Sequence, residues 1–205
     1  MITNQQADIL IKIKKRIVIN NTLVERVSIE NNFPLQLRFS LIADNTKFLW
    51  EISQSRKNNV KISLHFQDDE NKIGLFRIDY NSGHKNPETA LPDLPLIFKP
   101  YIGKWFDSNE HHAHYYVYGY KPLAWAIPLT ESDFKVKNIN NPHSDFINAI
   151  INFAEIINSI TEKLMILPED TIVYPGHRKI NNDKRRRTYL FRIKSKRLLE
   201  VRSEK

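Results

Sequence analysis

Cysteine is absent from the 205-residue chain. That excludes disulfides and thiolate metal sites, so any metal would have to be held by His, Asp or Glu. No run of about 18 apolar residues occurs either. The segment Met1 to Lys15 mixes apolar and polar side chains instead of placing an apolar block behind a charged stub, unlike a secretory leader. The expectation is a soluble, cytoplasmic protein that neither enters nor crosses a membrane. Internal repeats are also missing. With 41% hydrophobic residues, stability must come from one sizeable core, and the length suits one main domain with an appendage.

Acidic residues are scarce at the C-terminal end. From Arg178 to Lys205 there are twelve Lys and Arg against Asp183, Glu200 and Glu204, a balance of +9 within a chain total of +8. The residues before it therefore sum to −1, and the cationic character belongs to the tail. Such segregation suits a polyanion, because cations that neutralise phosphates release condensed counterions. Lys184, Arg185, Arg186, Arg187, Arg192, Lys194, Lys196 and Arg197 are the expected nucleic-acid contacts, with Tyr189 and Phe191 among them as rings able to stack on bases.

The apolar spacing of Ala7, Ile9, Leu10, Ile13 and Ile17 predicts a short helix over about Asn4 to Arg16. Extended runs follow at Leu35 to Ala43, Lys47 to Ser53, Asn59 to Gln67 and Lys72 to Tyr80, with breaks too short for helical crossovers. A proline-bearing stretch from Asn81 to Glu110 cannot continue a central strand. Two more strands are expected at His111 to Tyr118 and Leu123 to Leu129, then a long helix after Pro142 to about Leu164. Leu167 to His177 reads as a linker or short strand, and Thr188 to Lys194 as a further strand. The predicted fold is α+β: a mostly antiparallel sheet of about six strands packed by the two helices. The predicted division is an α+β domain over 1–166, then a linker and basic tail over 167–205.

Residues two apart in a strand share a face. Arg77 and Asp79 therefore point together, as do His112, His114 and Tyr116, while His84 stands at the mouth of the proline-bearing stretch. If the two strands are neighbours, these groups converge. Cleaving an RNA phosphodiester needs a base for the 2′-hydroxyl, an acid for the departing 5′-oxygen and a cation for the phosphorane. The predicted catalytic set is His84, His112, His114, Arg77, Asp79 and Tyr116. In it His114 and His84 form the acid–base pair, Arg77 meets the developing charge and Asp79 orients Arg77 or a histidine. Three histidines could alternatively hold a divalent ion; the expectation is that neither metal nor cofactor is needed.

The order Thr3-Asn4-Gln5-Gln6-Ala7-Asp8-Ile9-Leu10-Ile11, Arg77-Ile78-Asp79, His84-Lys85-Asn86-Pro87, His112-Ala113-His114-Tyr115-Tyr116 and Trp125-Ala126-Ile127-Pro128-Leu129 resembles an uncharacterised bacterial domain family. The match covers residues 1 to about 165 and implies the same site residues without implying a reaction. More loosely, R-x-D followed by histidines and H-x-H is similar to toxins of some toxin–antitoxin modules. Leu167 to His177 resembles the late P-G-H segment of metallo-β-lactamase-fold hydrolases. Tyr116 and Val117, however, stand where their upstream motif needs Asp and His. The leading expectation is a nucleic-acid-acting protein of a bacterial defence or toxin–antitoxin setting, in its most specific form a metal-independent ribonuclease. Nucleic acid is the expected partner, with an antitoxin protein or RNA beside it. The alternative is a non-catalytic binding or regulatory module for nucleic acid or protein.

Overall fold

Thr3 starts the first helix. Its hydroxyl accepts from Gln6 N at 3.1 Å, and Gln6 Oε1 accepts from Thr3 N at 2.8 Å, a capping box that satisfies two amides left over at a helix start. The computed structural model describes residues 2–24, 26–29 and 34–159, with the strand backbones of 163–166, 173–174 and 192–193. Helix α1 spans Asn4–Lys12 and buries Ala7 and Ile11, ending a turn before Arg16. Lys15 explains the early end. It is fully buried, and its Nζ donates to Ile11 O, Ile13 O and Ile157 O at 2.8, 2.8 and 2.7 Å. One ammonium thus satisfies final carbonyls of two helices, the position where a cation is favoured.

The strands are β1 (Arg16–Ile19), β2 (Thr22–Val24), β3 (Arg26–Ile29), β4 (Gln36–Ala43), β5 (Thr46–Gln54), β6 (Ile62–Asp68), β7 (Ile73–Tyr80), β8 (His84–Lys85), β9 (Trp105–Phe106), β10 (His112–Tyr115) and β11 (Trp125–Pro128). Helix α2 (Ser144–Ile156) follows, then β12 (Lys163–Ile166), β13 (Val173–Tyr174) and β14 (Arg192–Ile193). Among the described residues the main sheet has eight strands in the order β11-β10-β7-β6-β5-β4-β1-β2, and each neighbouring pair is antiparallel. The expected six become eight because the segment after Lys15 forms a hairpin. Asn20 and Asn21 turn it with φ of 50° and 58°, a left-handed pair that asparagine tolerates and that hairpin twist favours.

The second helix also stops earlier than its apolar pattern. Asn158 takes φ of 47° just beyond α2, a helix-terminating conformation, and its side chain donates to Lys12 O at 2.7 Å. Residues 163–166, expected as helix up to Leu164, instead pair in parallel with β3. β14, antiparallel to β13, falls within the strand expected at Thr188 to Lys194; the side chains of the basic tail lie outside the described residues. Among the described residues no helix is long and apolar enough to cross a membrane.

Helix α2 covers one face of the sheet. Phe153 stacks on Trp50 of β5 and Phe76 of β7, with ring centroids at 6.0 and 5.3 Å. By the two-residue alternation of strands, every other side chain then points away from α2. On that second face the cross-strand partners form two rows. One runs Arg38, Glu51, His65, Arg77, His114, Ala126, and the next Gln36, Ser53, Ser63, Asp79, His112, Pro128.

The stretch from Asn81 to Glu110 wraps the β11 edge. Phe98 packs on Trp125 and Tyr115 at 5.8 and 6.0 Å, on the α2 side. The small β8–β9 hairpin lies over the polar side, where the Phe106 ring packs, tilted, with its centroid 4.8 Å from that of His112. Asn86 pins it, accepting from Ala126 N at 2.9 Å while its Nδ2 donates to Ala126 O at 2.8 Å and Tyr101 O at 3.0 Å. These bonds pair groups that an edge strand leaves open.

Candidate functional site

The β7–β10 pairing places His114 opposite Arg77 and His112 opposite Asp79. The hairpin adds His84, whose ring centroid is 4.4 Å from that of His114 and 5.6 Å from that of His112. Five of the six sequence-predicted residues therefore meet: Arg77, Asp79, His84, His112 and His114. Tyr116 does not join them. The β10 ladder stops at Tyr115, and Tyr116 Oη donates to Ile2 O at 2.7 Å, tying the chain start to the core.

The histidine tautomers follow from their partners. His114 Nδ1 is 2.9 Å from Leu123 O and His112 Nδ1 is 2.8 Å from Glu110 O. A carbonyl only accepts, so both Nδ1 atoms carry protons, and the neutral rings present lone pairs at Nε2. His84 is reversed. Its Nε2 faces two acceptors, Ala124 O and Asn86 Oδ1, each at 3.1 Å, so its lone pair is on Nδ1. The carbonyls of Leu123 and Ala124 thus orient two imidazoles from one turn, and Leu123 adopts φ of 58° there, a strained conformation for a branched residue.

Arg77 is held along one edge of its guanidinium. Nη2 lies 2.9 Å from the His114 Nε2 lone pair, and Nε lies 2.9 Å from Asp79 Oδ2. The second contact is an ion pair and not an aligned hydrogen bond, since among the described residues Nε–H has no acceptor in line. Asp79 Oδ1 accepts from Ser63 Oγ at 2.6 Å. His114 Nε2 is also 3.2 Å from Asp79 Oδ2; with His114 neutral these are two acceptors sharing one guanidinium. Arg77 keeps 30% of its side chain exposed, whereas His112 and His114 keep none.

Burial pushes the His114 imidazole down to about 4 despite the neighbouring Asp79, so it is neutral at pH 7. Burial likewise lowers His112 and His84. For Asp79, burial alone would raise the carboxyl, but the Arg77 charge and the Ser63 hydroxyl lower it and hold the group ionised. Arg77 is the cation of the cluster and Asp79 its anion.

One ligand atom each of Asp79, His112 and His114 lies within 4.8 Å of the other two. Among the described residues His112 Nε2 is buried without a hydrogen-bond partner, 3.9 Å from Asp79 Oδ2. Two imidazoles and a carboxylate could hold a transition metal, although Arg77 already uses the one lone pair that His114 Nε2 offers.

A family model matches residues 2–159, most of the chain and all of this cluster. The chain belongs to a family of unknown function, DUF6978. No curated protein and no solved structure matched the DUF6978 chain. The family thus agrees with the expectation of an uncharacterised domain family.

Sequence reasoning missed His65. It is the partner of Arg77 on the β6 side, half-buried on the same face, and no motif surrounds it. The only available signal was its alternation with Leu64 and Phe66. The basic-tail residues Lys184 to Arg187, Arg192, Lys194, Lys196 and Arg197 have no described side chains to relate to the cluster.

Proposed function

We propose that this protein acts on nucleic acid, cleaving an RNA phosphodiester without a metal at the Arg77 cluster, with the basic tail holding the polyanion. The observation carrying this proposal is the gripped guanidinium: Asp79 and His114 take one edge of Arg77 while part of its side chain stays exposed beside half-buried His84. A planar donor fixed from behind is suited to two oxygens of a phosphate. In the reaction the 2′-oxygen bonds to phosphorus and the P–O5′ bond breaks. One imidazole takes the 2′-hydroxyl proton and another gives a proton to the 5′-oxygen, leaving a 2′,3′-cyclic phosphate and a 5′-hydroxyl. Arg77 stabilises the phosphorane.

Burial divides the roles. His84, with its Nδ1 lone pair, is a proton-transfer group within reach of substrate. His112 and His114 are fully buried and act as positioning residues, His114 directly on Arg77. The resemblance to toxin–antitoxin toxins supports RNA as substrate and a bacterial defence setting. The test is cleavage of RNA by the full chain in EDTA, with Arg77→Ala as control. Products ending in cyclic phosphate support the proposal. RNA retained uncut supports a binding module instead.

His112 Nε2, which has no hydrogen-bond partner among the described residues, favours a second reading, a divalent metal centre of Asp79, His112 and His114. It requires Arg77 to release His114. Zinc binding by the wild type near one ion per chain, lost in His112→Ala, would establish it.

A further inference from the structure

We infer that His65 is the second proton-transfer residue of this site, facing His84 across Arg77. The inference rests on the cleavage proposed above and deepens it by supplying the missing half of the acid–base pair. Arg77 stands on β7 between β6, which carries His65 as its direct partner, and β10, over which His84 lies. Two strand spacings, roughly 10 Å between backbones, separate the two sides. A phosphorus held on the guanidinium would therefore have one imidazole towards each of its apical oxygens.

The tautomer of His65 is built in. Gln67 Nε2 donates to Asp69 Oδ1 at 3.3 Å, which turns Gln67 Oε1 towards His65 Nε2 at 3.1 Å. An amide oxygen accepts, so His65 Nε2 carries the proton and Nδ1 the lone pair. His65 thus has the protonation arrangement of a base held by an acceptor, set through Gln67 and Asp69. Leu123 bears on it as well: a β-carbon at Gly74 would sit 2.7 Å from Leu123 Cδ1 and 3.4 Å from His65 Cε1. The Leu123 side chain, from the turn that orients His84 and His114, and the His65 ring therefore border the same space over Gly74.

The charged groups facing His65 are Glu51 on β5, Arg77 and Asp79 on β7, and Asp69 beyond Gln67. Burial comes first in lowering its basicity, with Arg77 adding to the effect and Gln67, Glu51 and Asp79 opposing it. A phosphate on Arg77 would neutralise that cation and add negative charge beside the ring.

Two measurements on the full chain test this. The first is NMR titration of the His65 ring with and without inorganic phosphate. Its apparent pKa is expected to rise by about half a unit or more with phosphate, and not in Arg77→Ala; an unchanged wild-type pKa overturns the assignment, whether or not RNA is cleaved. The second is the pH profile of RNA cleavage. His65→Ala is expected to lose about 10²-fold or more and one limb of the bell, with partial rescue by added imidazole. Full cleavage by His65→Ala overturns the inference and leaves the proposed function standing, as does a deficit that His65→Gln repairs without a titrating ring. A wild type that leaves RNA uncut removes the cleavage and with it the proton-transfer role.

Discussion

Arg77 and His114 face each other on neighbouring antiparallel strands, with Nη2 2.9 Å from Nε2. The pair works because Leu123 O fixes the His114 proton on Nδ1, and burial keeps the ring neutral. A histidine becomes an acceptor, and an arginine gains a second anchor besides Asp79.

Arg77→Lys keeps the charge and loses the planar fork. It is expected to slow RNA cleavage by about 10²-fold or more, with thermal unfolding little changed. Arg77→Ala should additionally destabilise the fold by about 3 kcal/mol, since the buried Asp79 carboxylate loses its cation. Urea unfolding of both variants checks this, and Asp79→Asn in the Arg77→Ala background should recover part of the loss.

Acid should weaken the protein well before the carboxylates protonate. In the unfolded chain His114 titrates near 6.5, but in the fold only at about 4. Between those values the unfolded state binds the extra proton, so stability falls as pH drops through this window, by about 1.4 kcal/mol per pH unit for one histidine. His112, His84 and His65 are lowered in the same direction and add to the slope. Urea unfolding from pH 7 to 4.5 should show it, and His114→Gln should reduce the slope by about one proton.

Lys15 supplies the opposite end of the pH range. Burial pulls its ammonium from 10.5 down to about 7, so the unfolded state holds the proton more firmly and stability should rise with pH between 7 and 10.5. Lys15→Met would leave carbonyls of Ile11, Ile13 and Ile157 without their shared donor. The expected cost is about 3 kcal/mol at pH 7, partly offset by apolar contact with Phe48 and Phe66, whose rings lie 5.1 and 4.9 Å from Nζ. Chemical denaturation of the variant and of the wild type at pH 7 and 9 tests both statements.

Removing residues 168–205 is expected to leave a cooperatively folding domain, because the eight-stranded sheet and both helices lie before Ile166. The same truncation should weaken nucleic-acid binding and flatten its salt dependence by about 0.9 in log–log slope per lost phosphate contact to duplex DNA. Filter binding across a salt series measures it, and an insoluble product would show that these residues belong to the core.

The local pattern determined much of this molecule. Alternation placed β4 to β7, β10 and β11 to within a few residues, and put Arg77 with Asp79 and His112 with His114 on common faces, because side-chain direction in a strand has period two. Only tertiary structure decided which strands are neighbours. That put His65 beside Arg77, from a strand with no motif, and sent Tyr116 to Ile2 once the ladder ended. It also ended α1 at Lys12, because the Lys15 side chain, bonding across 142 residues to Ile157, outweighed an apolar spacing that would have continued the helix. Periodicity is encoded in adjacent residues, whereas tautomer, burial and the grip on Arg77 depend on groups the chain brings together only when folded.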